Sequence, residues 1–459
     1  MPTPACRGGA AAPDTPATGL SVGYLGLDVS QAEVVACLLL PDGREAVPRW
    51  AVPNTAPGAQ ALAERVAAVA QAHGVTRVRI GMEATGLYWW HLACFLKDAP
   101  LLAAWQPQVY VLNPQLVEGL KHVYPERGKT DRRDAFLIAE RVRLGRLPAP
   151  FQVDAVYAPL QRLTRFRTHL AQTLAREKSY FLSMLFLKFS AFSASAAFGD
   201  PFGATSLAVR ESFTTEELAQ TSLDDLASFL QAQGRGRFVA PQEVAATLAR
   251  AAHDSYRLDR VLDEPVTLIL GTAMATIRTL QRQLRAVDQT IARALLALPP
   301  ERRTLASIPG LGPVWTAGLV AEIGDIHRFP NEAALANYAG LVWPPHESGT
   351  FQAEDTALSK AGNTYLRYYL VEAANSVRLH CAEYRDYYNV KLAQATKHAH
   401  KRALVLTARK LVRLVDALLR AGAVYQSPQG RQDRKEGQTR PHTARPRRQR
   451  HTPVVPAAT

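Results

Sequence analysis

An α/β domain followed by an all-α remainder is the architecture that this sequence predicts. Short apolar runs broken by turn residues crowd the stretch up to Leu112, which is the pattern of strands in a sheet. Beyond the break Leu147-Pro148-Ala149-Pro150, apolar residues recur instead at helical spacing over long stretches. The chain has 459 residues, 47% of them hydrophobic, which is enough for two or three domains with real cores.

Within the first domain, residues 21–150, Val22–Val29 is an apolar run that contains Gly26-Leu27-Asp28. Residues 33–40 read as a second strand closed by the turn Pro41-Asp42-Gly43, so the two form a hairpin. A helical segment over 59–73 leads to a third strand at 77–82, with Glu83 just past its end, where open α/β sheets place their ligands. A strand at 109–112 is stopped by Asn113-Pro114, and a helix begins near Asp131.

The region 151–299 reads as helical. Residues 160–188 have helical apolar spacing interleaved with Arg and Lys, and 273–298 repeat the pattern with Ile277, Leu280, Leu284 and Val287. The two fit an antiparallel coiled-coil arm that dimerises the protein, and they equally fit packing within one chain. Between them, 191–263 carries several short amphipathic helices, one with an N-cap pattern in the SFTTEEL stretch at 212–218, and no chemical motif.

The next domain, 300–425, opens on LASIPGLGPVWTAGLVAEIGDIHRF at 305–329, which resembles a helix-hairpin-helix. Gly310 and Gly312 permit a tight turn whose amides could hold a phosphate oxygen, or they serve only close packing of an ordinary αα-hairpin. A loop through Pro344-Pro345-His346-Glu347-Ser348-Gly349 and Leu358-Ser359-Lys360 precedes a helix over 364–379. Residues 426–459 form a Pro-rich basic tail with the composition of a disordered segment.

The net charge is +14, which suggests a polyanionic partner. The tail holds eight Lys/Arg against two acids, so +8 remains on the body. No apolar stretch is long enough for a membrane span, and the Pro/Ala/Gly/Thr-rich leader, residues 1–20, lacks an apolar signal core. Cys6, Cys37, Cys94 and Cys381 are scattered without CxxC spacing, which argues against a disulfide framework or zinc site and fits a reducing cytoplasm.

Four carboxylates carry the chemistry. Asp28, Glu83 and the pair Asp131 and Asp134 lie at strand ends and a helix start, and i, i+3 spacing lets the pair face one metal. Mg²⁺ takes oxygen ligands, and a two-metal phosphoryl-transfer site needs several carboxylates converging from different elements. Such acids also serve as caps, Asp131 above all. A Gly-x-Asp strand before a hairpin occurs in sugar-kinase and actin-like ATPases too, but no Gly-rich phosphate loops follow here. Lys129, Arg132 and Arg133 beside the pair either hold phosphates or form a solvated basic face. Ser348 and Ser359 are candidate nucleophiles if a base or metal activates them, and otherwise a turn residue and a helix cap.

Taken together, GLDVS, MEATGLYW, LNPQLV, KTDRRDA, SIPGLGPVWTAGLVAEIGDIHRF, LANYAGLVWPPHESG and LSKAGNTYLRYYLVEAA resemble the insertion sequence 110 family of transposases, over residues 22–145 and 300–420. The resemblance implies an N-terminal RuvC-like (RNase H-like) mixed sheet bearing a DEDD set, a helical coiled-coil middle, and a mostly helical C-terminal domain with an essential serine. Carried over by position, the metal ligands are Asp28, Glu83, Asp131 and Asp134, binding Mg²⁺ or Mn²⁺, and the nucleophile is Ser348, with Ser359 as the fallback. Lys129, Arg132, Arg133, Gly310, Gly312 and Lys360 become candidate nucleic-acid contacts. The resemblance further implies donor and target DNA, a structured noncoding guide RNA, dimers assembling to a tetramer, and work at the bacterial nucleoid. A junction-resolving nuclease using only the carboxylates, and a noncatalytic nucleic-acid-binding relative, are the alternatives.

Overall fold

The computed structural model describes residues 21–427 except 122–123, 125–130, 346, 349–350 and 353–355, and of 347, 348, 351 and 352 it describes the backbone. The leader 1–20, Lys129 and the tail beyond 427 lie outside the described residues. The chain splits into two compact units, Met1–Val153 and Asp154–Thr459.

The first unit is built on five strands: β1 (Val22–Val29), β2 (Glu33–Leu39), β3 (Trp50–Pro53), β4 (Arg77–Glu83) and β5 (Gln108–Leu112). Their order is β3-β2-β1-β4-β5, with β1, β2 and β3 antiparallel in sequence and β4 and β5 parallel to β1. The hairpin expected from the Pro-Asp-Gly turn is present. Two readings need correction. Glu83 is the last residue of β4, paired with Leu112, rather than a residue beyond the strand. Strand β3 was not anticipated, because four residues ending in Pro53 carry too little alternation to register as a strand.

Helix α1 (Ala56–Ala72) starts before the expected residue 59, because the Thr55 hydroxyl caps it by accepting from the Gly58 amide and Pro57 occupies its first turn. Helices α2 (Trp89–Lys97), α3 (Pro114–Lys121) and α4 (Asp131–Arg143) complete the unit. Alternation divides the sheet between two cores. Leu25, Leu27, Ile80 and Met82 pack with Leu62, Val66 and Leu92 of α1 and α2. On the opposite face, Val35, Cys37 and Leu39 meet Ala135 and Ala139 of α4, while Tyr110 and Leu112 meet Ile138 and Val142.

In the second unit, α5 (Ala158–Lys188) is followed by four short helices: α6 (Ala204–Ser212), α7 (Thr215–Gln220), α8 (Leu223–Gly234) and α9 (Pro241–His253). Then comes α10 (Arg260–Leu296), which begins well before the expected residue 273 by running through Pro265. That proline sits in the second turn and costs one backbone bond. Arg167 pairs with Asp288 at 2.7 Å and Lys188 with Asp263 at 3.5 Å, so α5 and α10 run antiparallel within one chain. The segment with no chemical motif has a clear structural role: Val209, Leu218, Leu226, Leu230 and Leu248 close a core around Phe181, Leu185 and Ile277 at one end of the long pair. The N-cap pattern is a full capping box between Thr214 and Glu217.

At the other end of the pair lies the C-terminal core, built from α11 (Pro313–Ile323), α12 (Glu332–Tyr338), α13 (Thr364–His380), α14 (Ala382–Gln394) and α15 (Ala399–Ala421), and between α12 and α13 the chain forms the hairpin β6 (Glu347–Ser348) and β7 (Phe351–Gln352). Helix α11 is apolar nearly all round and correspondingly buried. Ahead of its turn, residues Pro300–Ser307 form a 3₁₀ helix rather than the first α-helix of a hairpin motif. No described helix is long and apolar enough to cross a membrane.

Candidate functional site

Two glycines bring the carboxylates to one place. Gly26 of β1 and Gly81 of β4 are register partners on the sheet face covered by α4. A β-carbon at Gly26 would run into the carbonyl oxygen of Ala135 and the backbone of Ala139, and one at Gly81 would strike Val142. Helix α4 therefore lies directly on the strands. Side chains alternate along a strand, so Asp28 and Glu83, each two residues beyond its glycine, emerge on that same face. They meet the first turn of α4, which carries Asp131 and Asp134.

The crowding has an electrostatic signature. Burial, then the charges of Asp134, Asp131 and Glu83, push the Asp28 carboxyl up from the usual carboxylate range to about 6. Burial likewise raises Glu83, opposed by Lys121 and by a hydrogen bond donated by the Thr85 hydroxyl at 3.3 Å. Lys121 supplies compensating charge, with its ammonium 3.5 Å from Asp134 and 3.4 Å from Glu118. An all-carboxylate donor set with excess negative charge fits a hard divalent cation such as Mg²⁺. Among the described residues, no three carboxylates, histidines or cysteines come close enough to cage one ion. The i, i+3 pair is also unequal, Asp131 being exposed and Asp134 half-buried.

Several residues that brace this site were not evident in the sequence. Arg49 donates to the Arg132 carbonyl at 3.1 Å, holds Glu45 and lies over the Phe136 ring, which fixes the start of α4. Glu140, buried in α4, accepts from Tyr124 and from both arms of Arg143, each at 2.7 Å. The Arg133 guanidinium donates to the carbonyls of Lys121 and Tyr124, tying α3 to α4. Arg132 is exposed.

The serine region belongs to the second unit. Ser348 lies in β6, its backbone paired with Phe351 across the hairpin, and its side chain lies outside the described residues. The base of the loop is tightly framed. The Ser359 amide donates to Val342 O at 2.9 Å and the Asn363 amide to Tyr338 O at 2.7 Å. Gly340 and Gly362 adopt positive φ, and a β-carbon on either would collide with the opposing backbone, Ala361 O and Tyr338 O respectively. Asn363, rather than Ser359, caps α13, accepting from the amides of Tyr365 and Leu366. Lys360 is exposed with φ of 53° and presents its carbonyl to Arg367.

Beneath this loop lies a buried carboxylate, Glu322, 1% exposed. Both of its oxygens accept from Arg165, at 2.7 and 2.9 Å, and Asn363 donates to it at 2.7 Å. The signal was present in the sequence: one acid inside the apolar run GLVAEIG must have a buried partner. Gly310 is a packing glycine, since a β-carbon there would press on the Ser376 carbonyl, and the Ser376 hydroxyl donates to Gly310 O at 2.6 Å. Gly312 caps α11 with open space around it.

Residues 25–189 match the DEDD transposase profile of the IS110 family, and 302–389 match that of the IS116/IS110/IS902 transposase family, together more than half of the chain. The 44.8 kDa protein of insertion element IS116 from Streptomyces clavuligerus is 29% identical over 70% of this chain and 78% of its own. The 43.6 kDa protein of insertion element IS110 from Streptomyces coelicolor is 26% identical over 88% of this chain and 95% of its own. The transposase for insertion sequence element IS1111A from Coxiella burnetii is 28% identical over 40% of this chain and 52% of its own. Both halves of the chain thus carry the family's domains in the family's order, and the protein belongs to the IS110/IS116 family of insertion-sequence transposases.

Proposed function

We propose that this transposase cuts and rejoins DNA strands by combining a metal-binding carboxylate site with a serine nucleophile. The observation that carries the reading is that Asp28 and Glu83 emerge on the sheet face where the first turn of α4 carries Asp131 and Asp134, and that burial, followed by the charges of those acids, raises Asp28 to about 6. The order β3-β2-β1-β4-β5, with an aspartate on the central strand, supports a RuvC-like (RNase H-like) assignment for the first unit.

The four acids would hold Mg²⁺ or Mn²⁺, which when bound supplies Lewis acidity toward the phosphodiester oxygens. The remaining work falls to the chain's own side chains. The hydroxyl of Ser348, with Ser359 as second candidate, attacks phosphorus. A phosphoserine bond forms as the hydroxyl gives up its proton to water, the ester bond to one sugar oxygen breaks, and that oxygen takes up a proton from water as it leaves. The covalent step conserves the ester energy for rejoining. Asp28, which keeps its proton to about pH 6 without metal, would hold the ion in its ionised form. Lys121 keeps the acids together while they carry excess charge. A structured noncoding RNA as guide and assembly of dimers into a tetramer are part of this reading on the strength of the family resemblance.

The test incubates the protein with RNA from the element's flank, donor and target DNA, and Mg²⁺, and looks for denaturant-resistant protein–DNA adducts. An adduct lost in Ser348→Ala and retained in Ser359→Ala supports the assignment, and the reverse pattern moves the nucleophile to Ser359. Cleavage without any adduct would replace the proposal with a hydrolytic, junction-type nuclease that uses only the acids.

A further inference from the structure

Beside the closed base of the serine loop lies a cavity of about 700 Å³. Its floor is the half-buried set Leu358, Val405, Leu406 and the indole of Trp343, one residue past the Val342 carbonyl that closes the loop. Its rim is cationic and exposed: Lys397, Lys401 and Arg402, with His398 beside them. Among the described residues, no carboxylate lines it.

Three cations further along α15 are neutralised. Arg409 meets Glu332 at 2.7 Å, Lys410 meets Glu383 at 2.9 Å and Arg420 meets Asp416 at 2.9 Å. Lys397 and Lys401 have no such partner among the described residues. Like charges gathered at the mouth of a half-apolar cleft repel one another and favour an anion that lies across them. The volume exceeds what a single phosphate fills. Cations beside an aromatic face suit an unpaired nucleic-acid strand, in which phosphates meet the ammonium groups and a base stacks on the ring.

We propose that this cleft seats the DNA strand on which the serine loop acts, with backbone phosphates on Lys397 and Lys401 and one unstacked base against Trp343. The choice of DNA over RNA rests on the reading of the loop given above, because the cleft adjoins the chain segment between Val342 and Ser359. The proposal assigns residues to strand binding, independently of which serine attacks.

The experiment measures binding of a labelled single-stranded DNA to the full chain by fluorescence anisotropy over a series of salt concentrations. Lys397→Ala/Lys401→Ala is compared with a control of equal charge change on exposed α10 positions, Arg282→Ala/Arg285→Ala. Two lost phosphate contacts lower the slope of log K against log salt by about 1.4. Trp343→Leu weakens binding about tenfold with the slope unchanged. An unchanged slope in the lysine double variant, or an equal drop in the control, overturns the proposal. So does an effect confined to an RNA of the same sequence, which would make the cleft an RNA seat. An adduct in the unmodified chain together with an unchanged slope overturns the seat alone. A lowered slope with cleavage but no adduct supports the seat and overturns the serine chemistry.

Discussion

Asp28 shows how burial and neighbouring charge at one residue tie the stability of the proposed site to pH. In the folded chain its carboxyl keeps its proton to about pH 6, whereas in the unfolded chain it ionises in the usual carboxylate range. The folded state binds more protons between those limits, so this contribution to stability is present at low pH and lost as pH rises through about 6. Without divalent metal, the melting temperature is expected to decline from pH of about 4 to about 6, and Asp28→Asn should flatten that decline. A slope in Asp28→Asn equal to that of the unmodified chain would place the titration elsewhere. Added Mg²⁺ should reverse the decline by binding the ionised form. Glu322 poses a different residue-scale question, because its charge is buried and fully partnered. Arg165→Met leaves that carboxylate uncompensated and should cost about 3–5 kcal/mol in urea unfolding. A loss of under about 1 kcal/mol would mean that water replaces the guanidinium.

Elements are placed here by what they lack. Helix α4 reaches the sheet only because Gly26 and Gly81 offer no side chain, and that contact delivers Asp131 and Asp134 to Asp28 and Glu83. Gly26→Ala should lift the helix at a cost of about 1–3 kcal/mol, the range for overpacking. It should also weaken Mn²⁺ binding measured by calorimetry, although no ligand is altered. Metal affinity equal to that of the unmodified chain would show that the acids find each other without this contact. The long pair α5 and α10 is an element-scale device of another kind, joining the C-terminal core at one end to the α6–α9 core at the other. Apolar spacing gave both helices but left open whether they pair within one chain or between two, which the Arg167–Asp288 and Lys188–Asp263 contacts place within one chain. The start of α10 was not, because Pro265 reads as a break while neighbouring turns carry the helix past it.

Over the whole molecule, charge is distributed in two forms, a body of +8 and a tail whose basic residues are unaccompanied by apolar ones. Removal of residues 428–459 should leave the melting temperature unchanged while lowering nonspecific DNA affinity and its salt slope. An unchanged slope would assign all phosphate contacts to the body. Strands β1, β2, β4 and β5 and the helix at Asp131 could be read from residue order, because alternation, turn residues and caps are local and leave a local record. The family motifs could be read for the same reason. The meeting of the acids, the bracing by Arg49 and Arg133, the Glu322 network and the placing of Lys397 and Lys401 beside Trp343 depend on residues far apart in the chain. Their partners are chosen by which faces pack together, and packing is set by shape and burial across the fold rather than by neighbours in sequence.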